Sequence, residues 1–230
     1  MLPPSFEARA ASHGAQAKID YILKVELKRP GRFQPRISTE QKLIFLPLDP
    51  SPFLIIPSAS GYCTNQEALY VSDLATGKNR NCTDPLPILL LEAKLPSPAI
   101  LYSGERLPLH LFVRNLLACE GLCPVVLRSL VIILRSRTAI AAGAHHTSWT
   151  SSSELLNLKG LKEIVSSSTE IEGLSEMNDC ILQNATIPKV TASFTACTVE
   201  QKYTLEVEAG FSLGKDIRFR VWCAILLTKV

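Results

Sequence analysis

Between Ala17 and Lys28 the odd positions Ile19, Tyr21, Leu23, Val25 and Leu27 are apolar, while Asp20, Lys24, Glu26 and Lys28 fall between them and only Ile22 breaks the pattern. Side chains of a pleated strand point alternately to its two faces, so this period of two predicts a long strand with one face on a core and one in water. Ile37, Thr39, Gln41, Leu43 and Phe45 predict a second strand. Pro47, Pro50, Pro52 and Pro57 then fix φ and remove backbone donors, and the stretch 47–84 reads as a proline-rich linker without regular structure.

Strand signals return over Leu86–Ala93 and over Leu107, Leu109, Leu111 and Val113, behind a turn at Ser103-Gly104-Glu105. Val125–Leu134 is apolar on both faces, as a strand in the middle of a sandwich would be. Ala139–Thr150 is less regular, and within the serine-rich stretch that follows, Glu154, Leu155, Leu158, Leu161 and Ile164 have the spacing of one short helix. Tyr203, Leu205 and Val207, a turn over 210–214, and Ile217, Phe219, Val221, Cys223, Ile225 and Leu227 close the chain. Strands separated by turn residues, with almost no helical period, predict an all-β protein of immunoglobulin-like β-sandwich type.

The first strand has an echo. Tyr21-Ile22-Leu23-Lys24-Val25-Glu26 and Tyr203-Thr204-Leu205-Glu206-Val207-Glu208 share the pattern Y-x-L-x-V-E, and each follows a Ser-Phe pair, Ser5-Phe6 and Ser193-Phe194. Duplication of one structural unit explains both features. The second copy is preceded by strand-like sequence from Pro85 onward, whereas little precedes the first. Residues 1–46 therefore read as the closing strands of an N-terminal sandwich whose front is missing, and residues 85–230 as a nearly complete C-terminal sandwich. Two strands out of the roughly seven that such a sandwich uses leave the apolar face of Tyr21, Leu23 and Val25 short of cover, unless the opening strands dock on the C-terminal sandwich.

With 47% hydrophobic and 20% charged residues, the composition is globular, and a formal net charge of +3 does not mark a nucleic-acid-binding protein. Lys28, Arg29, Arg32 and Arg36 cluster around Pro30-Gly31 and read as a solvated loop, with a lipid-headgroup or phosphate role as the alternative. Seven cysteines in no regular framework point to a reducing compartment, where the sequons at Asn81 and Asn184 would stay idle. The apolar runs are far shorter than the roughly 20 residues that span a bilayer as a helix.

Little chemistry converges. Cys119, Cys123, His145 and His146 could be drawn as zinc ligands, but the spacing is unusual and small buried or loop cysteines are the stronger reading. His110 falls on the polar face of a strand with no acid or nucleophile near it, and reads as a surface histidine. Trp149 and Trp222 read as packing residues. Ser151–Ser153 and Ser166–Thr169 would add charge if phosphorylated, and otherwise form a polar loop. The sequence thus assigns no catalytic, cofactor-binding or metal residue, and the expectation is a protein that is not an enzyme and carries no cofactor.

Four segments in order resemble the α-arrestins, the arrestin-domain-containing family. Leu2-Pro3-Pro4-Ser5-Phe6-Glu7 and, after a short spacer, the stretch from Ala17 through Tyr21 and Leu27 to Pro30 are similar to the segment where the N-terminal arrestin sandwich finishes. Leu101-Tyr102-Ser103-Gly104-Glu105-Arg106-Leu107-Pro108-Leu109 resembles the entry to the C-terminal one, and Val190-Thr191-Ala192-Ser193-Phe194 with Tyr203–Val207 its late strands. The resemblance implies the arrestin fold and a cytoplasmic adaptor, peripheral at the plasma membrane or endosomes, that binds cytoplasmic segments of membrane transporters or receptors for ubiquitin-linked endocytosis or signalling. A ubiquitin ligase is the partner such proteins recruit through Pro-Pro-x-Tyr motifs. This chain has none, since Pro3-Pro4-Ser5-Phe6 ends in Phe. A structural subunit of a protein-sorting coat, or a truncated non-functional fragment, are the alternatives.

Overall fold

A computed structural model describes residues 3–10, 14–27, 37–45, 62–70, 87–115, 125–166, 174–212 and 216–227. These form fourteen strands, one 3-10 turn at Asp179–Leu182 and no α-helix. In chain order the strands are β1 Phe6–Arg9, β2 Gln16–Ile19, β3 Tyr21–Leu27, β4 Ile37–Leu43, β5 Tyr62–Tyr70, β6 Pro87–Pro96, β7 Ile100–Ser103, β8 His110–Asn115, β9 Val125–Ala142, β10 His145–Ser166, β11 Leu174–Glu176, β12 Phe194–Thr195, β13 Val199–Phe211 and β14 Asp216–Leu227.

The larger sheet runs β10-β9-β13-β14-β7, with β12 paired to β13, and the second runs β11-β8-β6-β5. Every pairing is antiparallel except that of β14 with β7. Alternation decides which side chains go inside. Leu89, Leu91, Ala93 and Leu95 of β6 and Leu111 and Val113 of β8 lie in one core with Leu130, Ile132 and Leu134 of β9 and Leu205, Val207 and Ala209 of β13, all fully or almost fully buried. Each large side chain so placed contributes about 1.5–3 kcal/mol relative to exposure. In β9 the phase slips once: Gly210 faces Ser129 but Phe211 faces Leu127, so Leu127 and Leu130, three apart, both turn inward. A Cβ at Gly210 would meet Ser129 Oγ and the Asp216 carboxylate, so those side chains would have to shift to admit one.

The all-β expectation holds, and two local expectations do not. The segment Glu154–Ile164 is no helix. It lies within β10, paired to β9, and register shifts fall between Glu154 and Leu156, between Lys159 and Glu163, and between Ile164 and Ser166. Each bulge changes which face the next residue meets, so bulged strand residues acquire the three-residue spacing of a helix; Gly160 takes φ 71° inside the middle one. Within the expected linker, Tyr62–Tyr70 forms β5 in ladder with β6. It shows no apolar alternation because it lies at a sheet margin, where backbone bonds to one neighbour hold it. The strand expected from Leu107 begins three residues later, although Leu107 and Leu109 are buried.

Residues before Phe45 form two small ribbons, β1-β2 and β3-β4. No helix of the described residues is long and apolar enough to cross a membrane.

Candidate interaction surface

The two Y-x-L-x-V-E segments share one set of hydrogen bonds. Ser5 N donates to the Phe45 carbonyl at 2.7 Å, and Phe45 N donates to Ser5 Oγ at 2.7 Å. In the second copy Ser193 N donates to the Ile225 carbonyl at 2.8 Å, and Ile225 N donates to Ser193 Oγ at 2.9 Å. Tyr21 donates its hydroxyl to the Pro3 carbonyl at 2.7 Å, and Tyr203 donates to the Thr191 carbonyl at 2.6 Å, each acceptor lying two residues before the serine. Ladders agree as well: Phe6 faces Ile19 and Phe194 faces Gln201, each two residues before the tyrosine, while Tyr21 faces Leu43 and Tyr203 faces Cys223. A tyrosine suits this corner because its ring packs while its hydroxyl finds the carbonyl that the bend leaves unpaired.

The copies touch through equivalent residues. The rings of Phe6 and Phe194 meet edge to face with centroids 5.2 Å apart. Ala17 and Val199, each four residues before its tyrosine, are buried in the same small cluster, and Ile19, Ile140 and Trp149 surround it. Like residues meeting like is the signature of a local two-fold relation. The opening hairpin β1-β2 thus packs on the C-terminal sandwich, but the face of Leu23 and Val25 that such docking would bury stays half exposed.

Beyond that seam the copies diverge. Leu205 and Val207 are 0% exposed beneath the second sheet, whereas their counterparts Leu23 and Val25 are 50% and 54% exposed. The face of β3-β4 that carries Tyr21, Leu23, Val25 and Leu43 also carries Gln41 and Thr39 and no charge, and the opposite face carries Lys24, Glu26, Glu40 and Lys42. There Lys24 reaches Glu40 across the ladder at 3.4 Å.

At the equivalent place in the second copy sits Glu206, 1% exposed on the outer side of the larger sheet. Arg135 of β9 grips it through Nε at 2.7 Å and a terminal nitrogen at 2.9 Å, and Arg220 of β14 donates from Nε at 2.7 Å. Arg218 stands 3.9 Å away and pairs more closely with Glu208. Hydrogen bonds from Arg135 foremost, then from Arg220, outweigh the cost of burial and hold the Glu206 carboxyl at about 2. Three strands are pinned by one carboxylate.

The residues singled out for chemistry do not assemble. Cys119 and Cys123 lie outside the described residues, as do the basic cluster around Pro30 and the sequon at Asn81. His145 and His146 are exposed at the start of β10. His110, expected as a lone surface residue, has its Nδ1 2.9 Å from Glu176 Oε1, and a carboxylate oxygen of Asp179 lies within 4.8 Å of both. That set was invisible in the sequence because β11 and the 3-10 turn bring its acids from over sixty residues away. Trp149 packs as expected. Ser151 bonds Ser136 Oγ at 2.7 Å within a strand, not a loop.

An open groove of about 420 Å³ lies where the 195–200 reversal meets the ends of β9 and β10, with His146, Cys197 and Glu200 among its lining residues. Glu200 is committed to Lys202 at 2.7 Å and to the Thr195 hydroxyl at 3.3 Å, so these three do not form a relay. Burial drives the Cys223 thiol up to about 12, which keeps it protonated and unreactive. No protein-family model matches the chain, and no curated protein matches it.

Proposed function

We propose that this chain is a non-enzymatic, arrestin-type adaptor. It acts in the cytoplasm, peripherally at the plasma membrane or endosomes, and binds cytoplasmic segments of membrane transporters or receptors for ubiquitin-linked endocytosis or signalling. One observation carries the reading: the Ser-Phe and Y-x-L-x-V-E unit recurs with the same hydrogen bonds in two positions that meet about a local two-fold. Tandem β units with extended outer faces suit recognition of other chains. The 230 residues contain no Pro-Pro-x-Tyr motif, so the ligase part of the proposal rests on the arrestin resemblance alone.

Affinity purification of the tagged full chain from detergent-solubilised cells, with quantitative mass spectrometry, tests the proposal. Substoichiometric transporters or receptors together with a ubiquitin ligase are the expected result. A fixed-ratio sorting complex would replace the adaptor by a coat subunit, and recovery of neither would overturn both.

A further inference from the structure

Among the described residues β10 pairs only with β9 and forms one margin of the larger sheet. A margin strand carries a row of unpaired N–H and C=O groups that bond any extended chain brought alongside, and folded proteins blunt such rows with short strands, charges, proline or bulges. Two other margins of the two larger sheets are short, β7 with four residues and β11 with three, and the third, β5, has Glu67 in its sequence. The far half of β10 is blunted too, by three register shifts and by Lys159, Lys162 and Glu163. Its near half is not. His145–Ser153 runs in unbroken register with Ala142–Leu134 of β9, and His-His-Thr-Ser-Trp-Thr-Ser-Ser-Ser contains no Lys, Arg, Asp, Glu or Pro. Trp149 fixes the middle of this stretch by packing beside Phe6 and Phe194.

We propose that this margin pairs with the same margin of a second copy of the chain, antiparallel about Trp149, so that two larger sheets join into one. A strand that pairs with itself sets its charges near their own copies, which is unfavourable, so self-pairing requires a neutral run. With the axis at the midpoint of the neutral run, Ser148 faces Thr150, Thr147 faces Ser151, His146 faces Ser152 and His145 faces Ser153. The first charge outside it, Glu154, falls opposite Ala144. Serine and threonine pairs across a ladder hydrogen-bond and do not repel. Neutrality also selects the occupant, since a margin built for an acidic or basic partner segment would carry the complementary charges, and this one carries none.

Sedimentation equilibrium of the full chain reads the outcome directly. The expected species has twice the 25.2 kDa mass of one chain. Ser148→Glu with Thr150→Glu sets glutamates opposite each other on both sides of the axis and raises the dissociation constant at least about tenfold. Within its own sheet that variant keeps its ladder, because Thr150 faces Arg137 and Ser148 faces Ala139. Ser148→Lys with Thr150→Glu sets opposite charges there instead and restores the dimer. In the unmodified chain, hydrogen exchange over residues 145–153 slows as protein concentration rises, a readout that needs no variant to fold. A monomer whose exchange in this stretch ignores concentration overturns the proposal, even if an added peptide then protects it. So does a double-glutamate variant that dimerises like the unmodified chain, or a lysine–glutamate variant as weak as the double glutamate.

Discussion

The two copies of the tyrosine unit use the same local bonds and live in different surroundings. Around Tyr203 a second sheet closes over Leu205 and Val207; around Tyr21 the equivalent Leu23 and Val25 stand half in water. Serine bridge, tyrosine hydroxyl and ladder register are nonetheless the same. The unit is therefore defined by short-range bonds that sequence neighbours make among themselves, and burial is added by whatever lies above it. Local geometry and core formation are separable here, and paired substitutions measure how far.

The largest contrast is at the valines. Val207→Asp buries an unpaired carboxylate and should cost more than about 3 kcal/mol, whereas Val25→Asp, at a site half in water, should stay within about 0.5 kcal/mol. Urea unfolding of both variants checks this, and equal losses would mean that the β3-β4 face is covered in solution.

Next come the charged positions. Glu206→Gln strips the carboxylate from Arg135 and Arg220 and should cost about 3 kcal/mol, while Lys24→Met, in an exposed pair, should cost under about 1 kcal/mol. The pH dependence has a definite sign. The folded carboxyl of Glu206 titrates at about 2 and its ordinary value is 4.5. A depressed value stabilises the fold fully above the ordinary one, and that stabilisation fades as pH falls from 4.5 towards 2. Melting temperatures measured across that range should fall steeply for the unmodified protein and less so for Glu206→Gln.

The smallest effect is expected at the tyrosines. Tyr203→Phe leaves the Thr191 carbonyl without its donor in a part-buried corner and should cost about 1 kcal/mol, with Tyr21→Phe costing less because Tyr21 is itself less buried than Tyr203. Thermal melts with amide exchange at Ser193 and Ser5 separate the two.

Much of this fold was legible from alternation alone. β3, β13 and β14 have largely period-two faces and β9 is marked by its apolar run, and the equivalence of Tyr21 with Tyr203 was visible because both copies keep the bonds that need those residue types. β10 was not legible, since its bulges spread Leu155, Leu158 and Leu161 over a helical spacing. Nor was β5, a margin strand held by backbone bonds that leave no apolar signature. Alternation does place Glu206 on the outer face, but its partners come from residues 71 and 14 positions away, and only the fold reveals that Arg135 and Arg220 both bond it. The Phe6–Phe194 contact likewise depends on how the copies are arranged in space.

One detail of the comparison bears on folding errors. A chain that contains the same strand motif twice risks joining a strand of one copy to the partner strand of the other. The cross-strand pair at the centre of the motif is Lys24 with Glu40 in the first copy and Glu206 with Arg220 in the second, the same position with the signs exchanged. An exchanged pairing in the same register would set Lys24 against Arg220 and Glu206 against Glu40, two repulsions in place of two attractions. At roughly 0.2–1 kcal/mol for each cross-strand pair the penalty is modest, but it acts while the ribbons are forming, before any core exists to choose between them. The reversed charges tell each strand which of two near-identical partners is its own.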